Sequence, residues 1–361
     1  MKRQLSVCFF GFDEKEEGGR AWAVRTGLAE HGITVKPCRT LVGGFFAKYR
    51  DLYRKWKMVP GTVDAFYIIF MGSYLMPLAW YLARRQGIPI LLDMLVSQYD
   101  TEVVDRKRVS RASPRAWFLW AVDYMSCHIA DAIVVDTLEH KKFFVEKFFV
   151  NEKKVVVVPV GCRSDLFVPL PSTKGAEDDV VVEFHGSFIP LQGIEYIIEA
   201  AKILQDKHER VRFEIVGSGQ LFVAMTRRAE ELRLTNMAFF GREPLAELPH
   251  SIARGDICLG IFGATAKALR VIPNKVYECL SCGKPVITER SPAALEALHD
   301  YEDVCMVEPG NGRALAEKII ELARDAALRE RLSMRAREIS HTAFSPRAIV
   351  NPLVDWLESR P

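Results

Sequence analysis

Short β-rich apolar runs alternate with segments of helical periodicity from the start of this chain. "LSVCFF" has a strand's pattern, residues 19–31 a helix's, and "ITVKPC" that of the next strand; the rhythm continues through "FYIIF", "IPILLD" and "AIVV". It restarts at "VVVEFHG" and runs through "VRFEIVGSG", "MAFFG", "DICLGIF", "KPVIT" and "VCMVEP". Repeated strand-then-helix units make parallel sheets with helices on both faces, so the pattern predicts an α/β chain of two doubly wound, Rossmann-like domains.

The chain has 361 residues, too many for one ordinary core. Between the two repeats, "FVPLPSTKGAEDD" loses its apolar content to Pro, Gly and charge. We therefore expect a first domain over 1–168, a linker over 169–179 and a second domain over 180–345. The last segment, 346–361, opens with Pro346 and spaces Ile349, Leu353 and Trp356 as one helix face.

A hydrophobic share of 49% and a charged share of 26% exclude disordered and fibrous classes. Residues 65–83 are uncharged, but Gly72, Ser73 and Pro77 interrupt them, which favours a buried strand feeding a helix over a membrane span. Eight scattered cysteines with no secretory leader ahead of them point to reduced thiols in a cytoplasm, and the Cys279/Cys282 pair reads as core packing rather than a metal or redox site. Residues 1–170 carry 25 Lys and Arg against 18 Asp and Glu, whereas the remainder carries 24 against 28. The first half is thus the one suited to an anionic surface.

Ligands of open parallel sheets sit at the carboxyl ends of strands. After the first strand, Gly18 and Gly19 precede a helix, but Asp13, Glu14, Glu16 and Glu17 oppose a pyrophosphate there. Asp93 ends a strand, where it can orient a hydroxyl or cap a helix, with Ser97 and Asp100 close behind. In the second domain Gly186 and Gly193 lead into a helix, and Gly217 ends the next strand. Residues 270–288, "RVIPNKVYECLSCGKPVIT", hold a helix opened by Pro273 and Asn274, carrying Glu278 and ended by Gly283. Lys267, Arg270 and Lys275 add three cations near that helix's positive end, an arrangement able to hold a diphosphate, while Glu278 can accept hydrogen bonds from ribose hydroxyls.

"GSFIPLQGIEYIIEAAKIL", "FEIVGSGQ", "FFGREPLAEL", "GDICLGIFG", "KALRVIPNKVYECLSCGKPVIT" and "VEPGNGRALAEKIIEL" follow one another in the order found in the retaining glycosyltransferases of group 1 (family 4), which this sequence resembles. The resemblance implies the GT-B fold: two facing Rossmann-like domains, with the end helix crossing back onto the first. It implies a nucleotide-diphosphate sugar as donor, Glu278 on the ribose, and Gly241 with Arg242 at the nucleobase. Two departures stand out. The family's first glutamate, eight positions before Glu278, is Arg270 here, and its diphosphate-binding Arg and Lys are Ser187 and Gln192. We expect Lys267, Arg270 and Lys275 to hold the diphosphate instead.

Enzymes of this kind transfer sugars with retention and without a demonstrated protein nucleophile. No Asp-x-Asp occurs in the chain, so neither a metal nor another cofactor is expected. Bases interleave with aromatics in "FFAKYRDLYRKWK" and "RKRVSRASPRAWFLW", a composition that suits an anionic membrane surface and a glycan or lipid-linked acceptor. The expectation is a cytoplasmic, peripheral enzyme of surface polysaccharide synthesis. Two other readings stay open, a sugar-nucleotide epimerase of the same fold and a non-catalytic nucleotide-sugar-binding partner. Nucleic acid is not an expected partner, given the acidic second half.

Overall fold

Strands that are buried at nearly every position can only sit inside a sheet covered on both faces, and this chain builds two such sheets. The computed structural model describes residues 4–12, 18–69, 71–171 and 179–360. The chain divides into one unit of Met1–Val160 with Pro346–Pro361 and a second of Gly161–Ser345.

The first unit holds β1 (Ser6–Phe12), β2 (Thr34–Thr40), β3 (Ala65–Ile68), β4 (Ile90–Asp93), β5 (Ala132–Val135) and β6 (Val155–Val157). Their spatial order is β2-β1-β3-β4-β5-β6, all parallel. All four residues of β3, of β4 and of β5 are buried. The uncharged run that starts at residue 65 resolves into β3 followed by the helix Met76–Gln86. Among the described residues no helix is long and apolar enough to cross a membrane. Strand β6 was not picked out from the sequence.

The second unit holds β7 (Val180–Ser187), β8 (Val211–Ser218), β9 (Met237–Phe240), β10 (Ile257–Leu259), β11 (Val286–Glu289) and β12 (Cys305–Val307). These are ordered β12-β11-β10-β7-β8-β9, again all parallel. Strand order reverses between β7 and β10, because the chain builds outward through β8 and β9 and then returns to the other side of β7. Such a reversal leaves a crevice at the strands' carboxyl ends.

The boundary between units lies earlier than the composition shift suggested. Residues 161–168, assigned to the first domain by sequence, belong to the second unit, where Ser281 Oγ donates to the carbonyl of buried Phe167 at 2.6 Å. Of the expected linker, residues 172–178 lie outside the described residues.

The terminal segment forms two short helices, Pro346–Ile349 and Asn351–Glu358. Ile349, Val350, Leu353, Val354 and Leu357 pack with Val7, Phe9, Val24, Leu28 and Tyr67, so the chain's end completes the core on one face of the first sheet. Contact is closest at Gly27, where an added Cβ would lie 2.0 Å from the Pro346 carbonyl oxygen. Gly27→Ala therefore forces the terminal helices off the sheet, and a loss of about 1–3 kcal/mol in unfolding free energy is expected from denaturant titration.

Candidate functional site

Alternation along β7 puts Glu183 and His185 on one face of the second sheet and Phe184 on the other. Glu183 sits directly beside Cys258 of β10 in the ladder. The helix Asn274–Ser281, which follows β10, covers the Glu183 face with nearly all of its residues buried. Pro273 sets the entry to that helix in extended conformation, and Gly283 leaves it at a φ of +69°.

Glu278 on this helix is buried and accepts a hydrogen bond on Oε2 from His185 Nε2 at 3.0 Å. His185 Nδ1 faces Glu183 Oε1 at 2.9 Å. Both ring nitrogens therefore point at carboxylate oxygens, which calls for a proton on each and makes the ring an imidazolium. Burial alone would push this imidazole down, but the charge and hydrogen bond of Glu183, then those of Glu278, outweigh it and hold the group up at about 10.

Lys275, one turn before Glu278, is also buried and donates to Gln192 Oε1. Its Nζ lies 3.4 Å from the centre of the Phe184 ring, on the far side of the strand. It reaches there because residue 186 is glycine: a Cβ at Gly186 would sit 2.7 Å from that nitrogen, and the φ of +155° disfavours side chains as well. Burial pulls the Lys275 amine down to about 7, against the opposing charges of Glu183 and Glu278.

The remaining donor-side residues surround this centre unevenly. Ser187 and Asn274 are exposed at the carboxyl end of β7 and the start of the 274–281 helix. Gly217 pairs with Gly186 in the ladder, and its N–H donates to the Gly241 carbonyl at 3.2 Å, which brings the exposed Gly241–Arg242 turn to the same sheet edge. Lys267 is buried and Arg270 half-buried on the turn Ala268–Arg270 and its approach. Ala268 packs with Leu191 and Ile261, so that turn lies over the Pro190–Gln192 turn.

Sequence reasoning passed over Glu183 and His185. The available signal was two polar residues at i and i+2 within an otherwise apolar strand, which buries them on one face. It also missed Glu289, at the carboxyl end of β11. Both its oxygens are buried without a hydrogen-bond partner, and desolvation pushes the carboxyl up to about 8.

One group of three potential metal ligands is gathered among the described residues. A Glu183 oxygen and the thiols of Cys258 and Cys279 lie within 4.8 Å of one another, all fully buried. Burial, then Cys258, pushes the Cys279 thiol well up, so it packs as a neutral side chain.

In the first unit the expected residues have other work. Asp93 is buried; it pairs with Arg20 Nε at 2.7 and 3.0 Å, accepts from Tyr67 Oη at 2.6 Å and takes the Leu95 N–H at 3.2 Å. Arg20 also donates to the Val158 carbonyl at 2.9 Å. Both Asp93 oxygens are thus engaged inside the unit, which corrects its expected role toward a substrate hydroxyl. Ser97 and Asp100 are likewise buried: Ser97 Oγ donates to Asp123 at 2.7 Å and accepts from the Asp100 N–H at 3.0 Å. Ser97 thereby braces the chain against the helix Pro114–Ile129. Gly18 and Gly19 start the helix that carries Arg20; Asp13, Glu14, Glu16 and Glu17 lie outside the described residues.

With this geometry in hand, comparison with known proteins adds a likeness. Residues 171–339 match the family model of glycosyl transferases group 1. The second unit carries that likeness. "Probable glycosyltransferase WbjE" of Pseudomonas aeruginosa is 33% identical over 142 residues, 38% of this chain and 32% of that protein. "Lipopolysaccharide core biosynthesis glycosyltransferase LpsD" of Rhizobium meliloti is 28% identical over 201 residues, 55% of this chain and 53% of that protein. The chain thus spans about a third to a half of those relatives. Among solved structures, Anabaena Alr3699/HepE, crystallised with UDP and with UDP-glucose, superposes with a TM-score of 0.71 at 16% identity, covering 99% of this chain and 100% of its own. That likeness shows the fold, GT-B, with its two Rossmann-like units.

Two outcomes follow from the buried groups. Asp93→Asn leaves the Arg20 charge unpaired in the core and is expected to lower stability by about 3–5 kcal/mol; a normal melting temperature would contradict this structural assignment. Glu289 has a folded pKa raised from the ordinary 4.5, so its favourable contribution is complete at low pH and is lost as pH rises toward about 8. Glu289→Gln should flatten the melting temperature across that interval and raise it at the alkaline end.

Proposed function

We propose that this protein is a glycosyltransferase that moves a sugar from a nucleotide-diphosphate sugar to a glycan or lipid-linked acceptor in surface polysaccharide synthesis, retaining the anomeric configuration. The observation that carries this reading is Glu278 held by His185 one turn after Lys275, at the strand-order reversal of the second sheet. The group 1 match and the names of the relatives support it.

In this reading Glu278 takes the ribose hydroxyls, and the Gly241–Arg242 turn meets the base. Lys275, with Lys267 and Arg270 from the neighbouring turn, neutralises the diphosphate as it leaves. Retention requires the acceptor oxygen to approach the face from which the diphosphate departs, so the cation cluster also aligns the two reactants. These side chains do the work expected of a metal, and turnover is proposed to be independent of one; unchanged rates in EDTA would agree.

Exposed aromatics on the first unit support an acceptor reached from a membrane. Phe46 is 84% exposed and Trp117 68%, on the basic helix Phe45–Trp56 and on the helix Pro114–Ile129. We propose that they rest on anionic headgroups at the inner leaflet.

A thermal-shift screen with UDP-, GDP-, ADP- and dTDP-sugars tests the donor reading: one class should raise the melting temperature. Lys275→Ala should weaken the preferred donor roughly 10- to 100-fold, the value of one charged hydrogen bond. No shift with any of the four would refute the proposal. Ser187 and Gln192, standing where the family has cations, favour one competing reading, a binding partner without turnover. Donor binding without transfer to any of a broad panel of acceptors would select it.

A further inference from the structure

We infer that Glu183 and His185 are positioning residues that clamp Glu278 in the orientation accepting the two hydroxyls of the donor's ribose; this rests on the reading of Glu278 just given. A glutamate side chain turns about three bonds, and a free one would have to be ordered each time a ligand arrived. Here His185 Nε2 fixes Oε2 at 3.0 Å, which commits one oxygen and sets the direction of the other.

His185 is itself fixed. It stands on β7 in the middle of the sheet, with Val216 of β8 as its ladder partner, and Glu183 anchors Nδ1 from two residues earlier on the same strand. The charged and titratable groups around the ring are Glu183 on its own strand, and Glu278, Lys275 and Cys279 on the covering helix. Two carboxylates flank one imidazolium, so the second acid keeps the ring doubly protonated and able to donate to Glu278.

Stability alone does not account for this arrangement. Glu183 is wholly buried, and its Oε2 has no hydrogen-bond partner. Apolar residues of similar size in place of buried charged groups are often as stable or more so. What the acid supplies is the protonation and orientation of His185, the relation that second partners have to the ligands of a metal.

The test uses the full chain and three variants, Glu278→Gln, His185→Gln and Glu183→Gln, each checked for a cooperative melt. Dissociation constants are measured for UDP, GDP and ADP and for their 2′,3′-dideoxy counterparts. The unmodified protein should prefer the ribose form of its nucleotide by about tenfold or more, since a site built to bond a hydroxyl rejects the analogue lacking it. Glu278→Gln should abolish that preference. His185→Gln and Glu183→Gln should reduce it at least about threefold while leaving dideoxy affinity nearly unchanged, a split that loss of packing alone does not produce.

If the folded His185 and Glu183 variants keep the original preference while Glu278→Gln loses it, the positioning role is overturned and the reading of Glu278 stands. If the unmodified protein binds both forms equally, or none of the nucleotides, the reading of Glu278 itself falls. Should His185→Gln not fold, the isosteric Glu183→Gln decides, and failure of both to fold would make the pair a structural element only.

Discussion

Two carboxylates buried within reach of one another either lose a charge or share a cation, and in the second unit they share His185. The imidazolium between Glu183 and Glu278 ties the central strand β7 to the helix Asn274–Ser281 through hydrogen bonds of 2.9 and 3.0 Å. Lys275 depends on the same acids. Burial draws its amine down, and the charges of Glu183 and Glu278 counter that pull without cancelling it. The charges of these buried groups are thereby set by one another.

Backbone topology explains why this happens where it does. Strand order reverses between β7 and β10, the topology that places a crevice at strand carboxyl ends. Gly186 ends the regular side-chain rows of β7 and lets Lys275 pass over the strand to the Phe184 ring. The first sheet reverses between β1 and β3, and there the interior is filled differently. Asp93 bonds both Arg20 and Tyr67 at the strand ends, with Arg20 reaching on to the chain beyond β6. The same architecture thus carries a closed ion pair in one unit and an acid–base chain in the other.

Much of this was legible in the linear order of residues. Strand and helix segments separate cleanly because burial on both faces requires continuous apolar runs, and eleven of the twelve strands among the described residues correspond to runs picked out in that way. The Glu278 helix could be read from Pro273 and Gly283, whose backbone preferences act locally. Asp93 was misjudged for the opposite reason: its partners Arg20 and Tyr67 lie 73 and 26 residues away, and a strand-end aspartate looks the same whether its oxygens are engaged or open. The unit boundary failed similarly, since Phe167 is held by Ser281 across 114 residues.

The sequence by itself determined the α/β class, the two sheets, the likeness to group 1 glycosyltransferases and the place of the Glu278 helix, because periodicity, turn residues and motif order are properties of neighbours along the chain. Only the tertiary structure decided which charges meet. Hydrogen bonds and desolvation depend on distances of a few ångströms between strands and helices far apart in sequence, and that is why Glu183 and His185 joined the candidate site while Asp93 and Ser97 proved to be engaged within the first unit.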